Sequence, residues 1–84
     1  MIHLMEYSMG RFDRITVEPG KMNGQPCIRG MRVPVRRVLL ALAIYPNRED
    51  FFANYPDIEE EDIVQALEFA AFALEGEILD LVGT

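Results

Sequence analysis

Five prolines, at positions 19, 26, 34, 46 and 56, fix where regular structure can start and stop in this 84-residue chain. Proline has no N–H to donate, so it is excluded from helix interiors and central strands but tolerated in the first helical turn. Residues 14–33 are therefore confined to short extended runs and turns. Helices are confined to the stretches opened by Pro34, bounded by Pro46 and Pro56, and then to the proline-free remainder.

Within the first part, Ile15-Thr16-Val17-Glu18 reads as a short β-like run closed by the turn signal Pro19-Gly20. Met22-Asn23-Gly24-Gln25-Pro26 is a second turn. A compact hairpin is expected next, with Cys27-Ile28 and Arg32-Val33 flanking Arg29-Gly30-Met31, where Gly30 supplies a positive φ. Residues 1–13 show no period and read as an irregular N-terminal arm.

The spacing of Val35, Val38, Leu39 and Leu42 predicts one buried face of a helix started by Pro34. Leu40 and Ile44 widen that face and imply cover on two sides. Asn47 is placed to cap a short second helix, with Glu49 and Asp50 in its first turn and Phe51, Phe52 and Tyr55 as its apolar residues. A third helix begins in Glu59-Glu60-Glu61-Asp62. Its core stripe is read as Ile63, Leu67, Ala70, Leu74, Ile78 and Leu81, a register that passes through Gly76 without a break.

These elements make one domain over residues 1–84, mainly α: a three-helix, helix-turn-helix-like (winged-helix or homeodomain-like) unit in 34–84, preceded by short strands and a hairpin in 14–33. No run approaches the roughly 20 apolar residues of a membrane span. The first residues, Met1-Ile2-His3-Leu4-Met5, do not read as a signal peptide. With Cys27 as the single cysteine, no internal disulfide forms, and a soluble cytoplasmic protein is expected.

Charge is divided along the chain. Residues 1–48 hold all eight Lys and Arg against three acids, a net +5, whereas residues 49–84 hold eleven acids and no Lys or Arg, a net −11. Such asymmetry bears on partners rather than on fold.

Enzyme chemistry is not expected. The one histidine, His3, lies in the arm, and Cys27 between Pro26 and Ile28 reads as a small buried hydrophobe without a positioned base. One Cys and one His cannot build a zinc site, so no metal and no cofactor are expected.

Four arginines carry the binding expectation. Arg29 and Arg32 stand on the hairpin, and Arg36 and Arg37 in the first turn of the first helix. Cations at a helix N-terminus are disfavoured by roughly 0.3–1 kcal/mol each, so something else must favour them. A phosphate is one candidate. Pairing with Glu59–Asp62, or with acids of a second subunit, is the other.

In the third helix, Phe69 and Phe72 fall off the core stripe beside Ala66, Ala70, Ala71 and Ala73. Aromatic residues beside small ones suit close helix–helix contact, so Phe69, Phe72, Ala73 and Leu79 are expected at a homodimer or partner interface. The competing expectation is that the N-terminal arm covers this face. Residues 48–75 have helix-turn-helix form, but where a DNA-reading helix needs Arg, Lys, Asn or Gln the second helix offers Glu59, Glu60, Glu61, Asp62, Gln65, Glu68 and Glu75, whose carboxylates would repel phosphates.

Taken together, Ile15-Thr16-Val17, the stretch Gly24-Gln25-Pro26-Cys27-Ile28-Arg29-Gly30-Met31-Arg32-Val33-Pro34-Val35, Tyr55-Pro56, Glu61-Asp62-Ile63 and Ala66-Leu67 resemble the bacterial domain-of-unknown-function family 433. Its pattern is "GxPxIRGTRIPV" followed by "YP…L…EDI…AL", and the match covers about residues 14–74. The resemblance implies a dimeric helix-turn-helix-like domain, and for some members an antitoxin role beside a PIN-like ribonuclease toxin. It thus implies a toxin partner and operator DNA as ligands. Two departures stand out: Met31 replaces the usual Thr, and Glu59 stands where members carry a Thr or Ser cap. The alternatives are a stand-alone DNA-binding transcriptional regulator and a structural homodimer with no nucleic-acid role.

Overall fold

A computed structural model of the chain describes residues 12–83, and the side chains of residues 12–76. His3 and residues 1–11 of the expected arm lie outside the described residues, as does the side chain of Leu79.

Two short strands, β1 (Ile15–Val17) and β2 (Pro26–Ile28), precede three helices, α1 (Val35–Ile44), α2 (Arg48–Asn54) and α3 (Glu60–Gly83). The strands are antiparallel, with Ile15 opposite Ile28, Thr16 opposite Cys27 and Val17 opposite Pro26. The connection between them turns tightly through Met22, Asn23 and Gly24, all at positive φ (51°, 61° and 75°). The partner of the Ile15 run is thus Pro26–Ile28, a pairing that local spacing did not specify. The expected reversal after Ile28 also forms: Met31 N–H donates to the Ile28 carbonyl at 2.7 Å and Ile28 N–H to the Val33 carbonyl at 2.9 Å. Gly30 sits there at φ +72°.

Helix ends follow the local chemistry. Pro34 is the residue before α1, in extended conformation, and its carbonyl accepts from Arg37 and Val38. Asn47 caps α2, its side chain accepting from Glu49 N–H at 2.8 Å and Asp50 N–H at 3.2 Å. At the start of α3, Asp62 Oδ2 accepts the Glu59 N–H at 2.8 Å, the returning half of a capping box. The helix then runs unbroken through Gly76.

The core gathers Phe12, Ile15 and Ile28 from the hairpin end, Val35, Val38 and Ala41 from α1, Phe51 from α2, Ile58 from the turn, and Ile63 and Ala66 from α3. Two expectations are corrected here. Leu40 and Ile44 are not covered on a second side; they are 55% and 67% exposed. Leu67 and Leu74 of the expected α3 stripe are 46% and 55% exposed, whereas Asp62, Ile63, Gln65 and Ala66 are buried. Within the expected arm, Phe12 is fully buried. The second correction has a geometric cause. At about 1.5 Å per residue, ten-residue α1 is too short to line 24-residue α3 along its length.

Candidate binding surfaces

Residue by residue, the structure divides the arginines into two groups. Arg14 and Arg29, one before β1 and one after β2, converge on the first turn of α3. Arg29 donates from Nε to Asp62 Oδ1 at 3.1 Å and from Nη2 to Asp62 Oδ2 at 2.9 Å, and Nη2 also reaches the Asp57 carbonyl at 2.7 Å. Arg14 Nη1 donates to Asp62 Oδ1 at 3.0 Å and to Glu59 Oε1 at 2.6 Å. The Asp62 side chain is wholly buried, while the two guanidinium groups keep partial contact with solvent.

Gln65 extends this network. It accepts from the Arg14 N–H at 2.9 Å and donates to Asp13 Oδ1 at 2.7 Å. Among the described residues no buried side-chain polar atom lacks a hydrogen-bond partner. Burial pushes the Asp62 carboxyl up, but the hydrogen bonds from Arg29, the Glu59 N–H and Arg14 outweigh it, so the group sits below the usual carboxylate range. The same bonds raise both arginines: Glu59 and then Asp62 act on Arg14, and Asp62 on Arg29. A carboxylate so occupied is a clamp between the hairpin and α3.

Of the four arginines expected at an anion site, Arg29 is therefore taken up by Asp62; Glu59 and Asp62 pair with Arg14 and Arg29, and Glu60 with Arg48, rather than with Arg36 and Arg37. Arg32, Arg36 and Arg37 are exposed, and none forms an ion pair among the described residues. Arg36 makes one long hydrogen bond, Nε to Gln25 Oε1 at 3.5 Å. Arg36 and Arg37 line an open depression of 270 Å³ with Leu40, Ile44 and Tyr55.

The aromatic pair of α3 is also relocated. Phe69 and Phe72 close on the Phe12 ring, at centroid distances of 5.4 Å and 6.1 Å, so their rings are at least partly covered from within the chain. Ala73 is exposed and lines, with Val35, Leu39, Phe69, Ala70 and Leu74, an apolar groove of 480 Å³ between α1 and α3. Its polar rim is Arg36 and Gln25.

Sequence reasoning missed Arg14, Gln65 and Phe12. Each makes these contacts across 45 residues or more in the chain. Only the aspartate three places after Glu59 carried a local signal, that of a capping box.

The hairpin, the caps and this clamp can be set beside known proteins. The family model described as "Protein of unknown function (DUF433)" matches residues 15–70. No curated protein matches. A DUF433 member protein from Anabaena variabilis ATCC 29413, known from a crystal structure, is similar in fold: TM-score 0.59 at 28% identity, covering 93% of this chain and 75% of that one. The chain belongs to the DUF433 family.

Proposed function

We propose that this chain is a non-enzymatic, antitoxin-like binding protein that occupies a PIN-like ribonuclease partner through the acidic end formed by the starts of α2 and α3. The observation that carries the reading is the charge left over after internal pairing. Arg48 Nε contacts Glu60 Oε1 at 3.1 Å, which brings the two helix starts together. Around that pair, Glu49, Asp50, Asp57 and Glu61 are exposed and form no ion pair among the described residues. No Lys or Arg follows position 48 to offset them.

A concentrated acidic end attracts a basic surface and raises its association rate. A ribonuclease needs such a surface for RNA phosphates, so an acidic occupant competes with substrate for it. The test is co-expression with the product of the neighbouring gene. The two proteins are expected to co-purify, and Glu49→Lys with Glu61→Lys is expected to weaken the association. If the tagged chain retains no neighbour product when both are co-expressed, the reading fails.

A second reading rests on Arg32, Arg36 and Arg37, at and just before the start of α1, which form no ion pair among the described residues. It has operator DNA held by its phosphates on this side, with α3 kept out of the groove by its own acids. Affinity is then expected to fall steeply with salt, and each Arg→Ala change to lower the salt slope by about one. Absence of salt-sensitive binding to the upstream DNA removes it.

A further inference from the structure

One face of α1 is left uncovered by the rest of the described chain. Leu40 and Ile44, one turn apart on that helix, are 55% and 67% exposed. Arg36 and Arg37, one turn before Leu40, are exposed as well and form no ion pair among the described residues. No acid stands in the first turn of α1 to neutralise them. All four residues line one open depression of 270 Å³, whose other walls include Tyr55 and Met22.

Single exposed apolar residues are ordinary on a protein surface. Here two of them share a depression with two cations that lack counter-charge, and the combination restricts the occupant. A nucleic-acid backbone satisfies the arginines but gives Leu40 and Ile44 nothing apolar to cover them. A neutral apolar segment covers Leu40 and Ile44 but desolvates two guanidinium groups without pairing them. An acidic amphipathic helix does both. Its acids are favoured in its own first turn, and its apolar residues recur behind them at spacings of three and four. Laid parallel to α1, it sets acids against Arg36 and Arg37 and apolar side chains against Leu40 and Ile44. The dipole of α1, which disfavours arginines at its start, favours those acids. The site is also pre-formed on one side: the Tyr55 ring packs against Phe51 at 5.3 Å and Tyr45 at 6.4 Å, so little of it needs ordering on binding.

We propose that this face of α1 is a docking site for an acidic amphipathic helix of a partner protein, with Arg36 and Arg37 pairing its first-turn acids and Leu40 and Ile44 covered by its apolar stripe. Charge complementarity selects the acidic helix, and the exposed leucine and isoleucine select protein over nucleic acid. The proposal is independent of the ribonuclease reading, which uses the starts of α2 and α3. It competes with the DNA reading for Arg36 and Arg37, and the test separates the two.

The probe is a labelled synthetic helical peptide of about four turns, with glutamates in its first turn and leucines behind them at spacings of four and three, titrated by fluorescence anisotropy into the full chain. Saturable binding is expected. Arg36→Glu with Arg37→Glu is expected to weaken it by roughly tenfold, as like charges face each other. A peptide with lysines in place of its glutamates is expected to bind that variant and not the unmodified chain, a recovery that also shows the variant folds. Leu40→Ser with Ile44→Ser is expected to weaken the acidic peptide by about tenfold, through lost apolar cover. Duplex DNA from the upstream region is titrated in parallel, and the mass of the chain alone is followed by sedimentation. Absence of saturable binding, or binding indifferent to either double change, overturns the proposal. DNA that binds through Arg36 and Arg37 irrespective of Leu40 and Ile44 gives the face to nucleic acid and overturns it too. So does a dimer that both double changes break, which gives the face to a second copy.

Discussion

Arg29 grips both oxygens of the buried Asp62 carboxylate, with contacts from Nε at 3.1 and 3.3 Å and from Nη2 at 2.9 Å. The contact spans the chain from the tip after β2 to the first turn of α3. Together with Arg14 it holds the hairpin on the helical part, so the stability of the clamp reports on the docking of the two.

Replacing Asp62 removes three partners at once: both arginines and the Glu59 N–H. Asp62→Ala is expected to destabilise the fold by about 2–4 kcal/mol, below the full cost of breaking a buried pair because the arginine heads reach water. Urea unfolding measures it. A loss under about 0.5 kcal/mol counts against the clamp.

The clamp also sets an acid limit. Asp62 has its folded pKa below its unfolded value, so its contribution is complete above the ordinary aspartate pKa of about 3.9 and is lost as pH falls through the lower folded value. Unfolding free energy is expected to drop with acid below about pH 4, and Asp62→Asn to flatten that drop. An unchanged slope in the Asn variant would show that other carboxylates carry the acid limb.

Phe12 ties the beginning of the described chain to α3 through Phe69 and Phe72. Phe12→Ala is expected to cost about 3–5 kcal/mol, the range for removing a fully buried ring. It is also expected to expose the two α3 rings, readable as binding of a hydrophobic dye. A neutral result would place the ring outside the core.

Gly76 lies inside α3, and a Cβ there meets nothing within 4 Å. Gly76→Ala is therefore expected to raise stability by about 1 kcal/mol, through helix propensity alone. Thermal or urea unfolding checks it. A destabilised variant would mean that the backbone at 76 is not helical in solution.

Local chemistry made much of the fold legible. The Pro34 start, the Asn47 cap and its bonds to Glu49 and Asp50, the stops near Pro46 and Pro56, and the reversal at Gly30 are decided by neighbours a few residues away. The charge division was legible too, because it is a count. The binding surfaces were less so. Arg29, a candidate anion ligand, pairs with Asp62; Phe69 and Phe72, expected either at an interface or under the N-terminal arm, close on Phe12.

What the sequence alone determined is therefore the set of elements, their boundaries and the opposite signs of the two halves, all properties of short range or of composition. Only the tertiary structure decided which residues of the α3 stripe are covered and which arginines are consumed. Spacing puts Ile63, Leu67, Ala70 and Leu74 on one stripe, and it carries no information on which of them the shorter α1 and the Phe12 ring will cover: Ile63 is buried, while Leu67 and Leu74 are 46% and 55% exposed. Likewise, a count of charges cannot say that Arg14 and Arg29 meet at Asp62, because that meeting depends on the strand register that carries both to the same helix end.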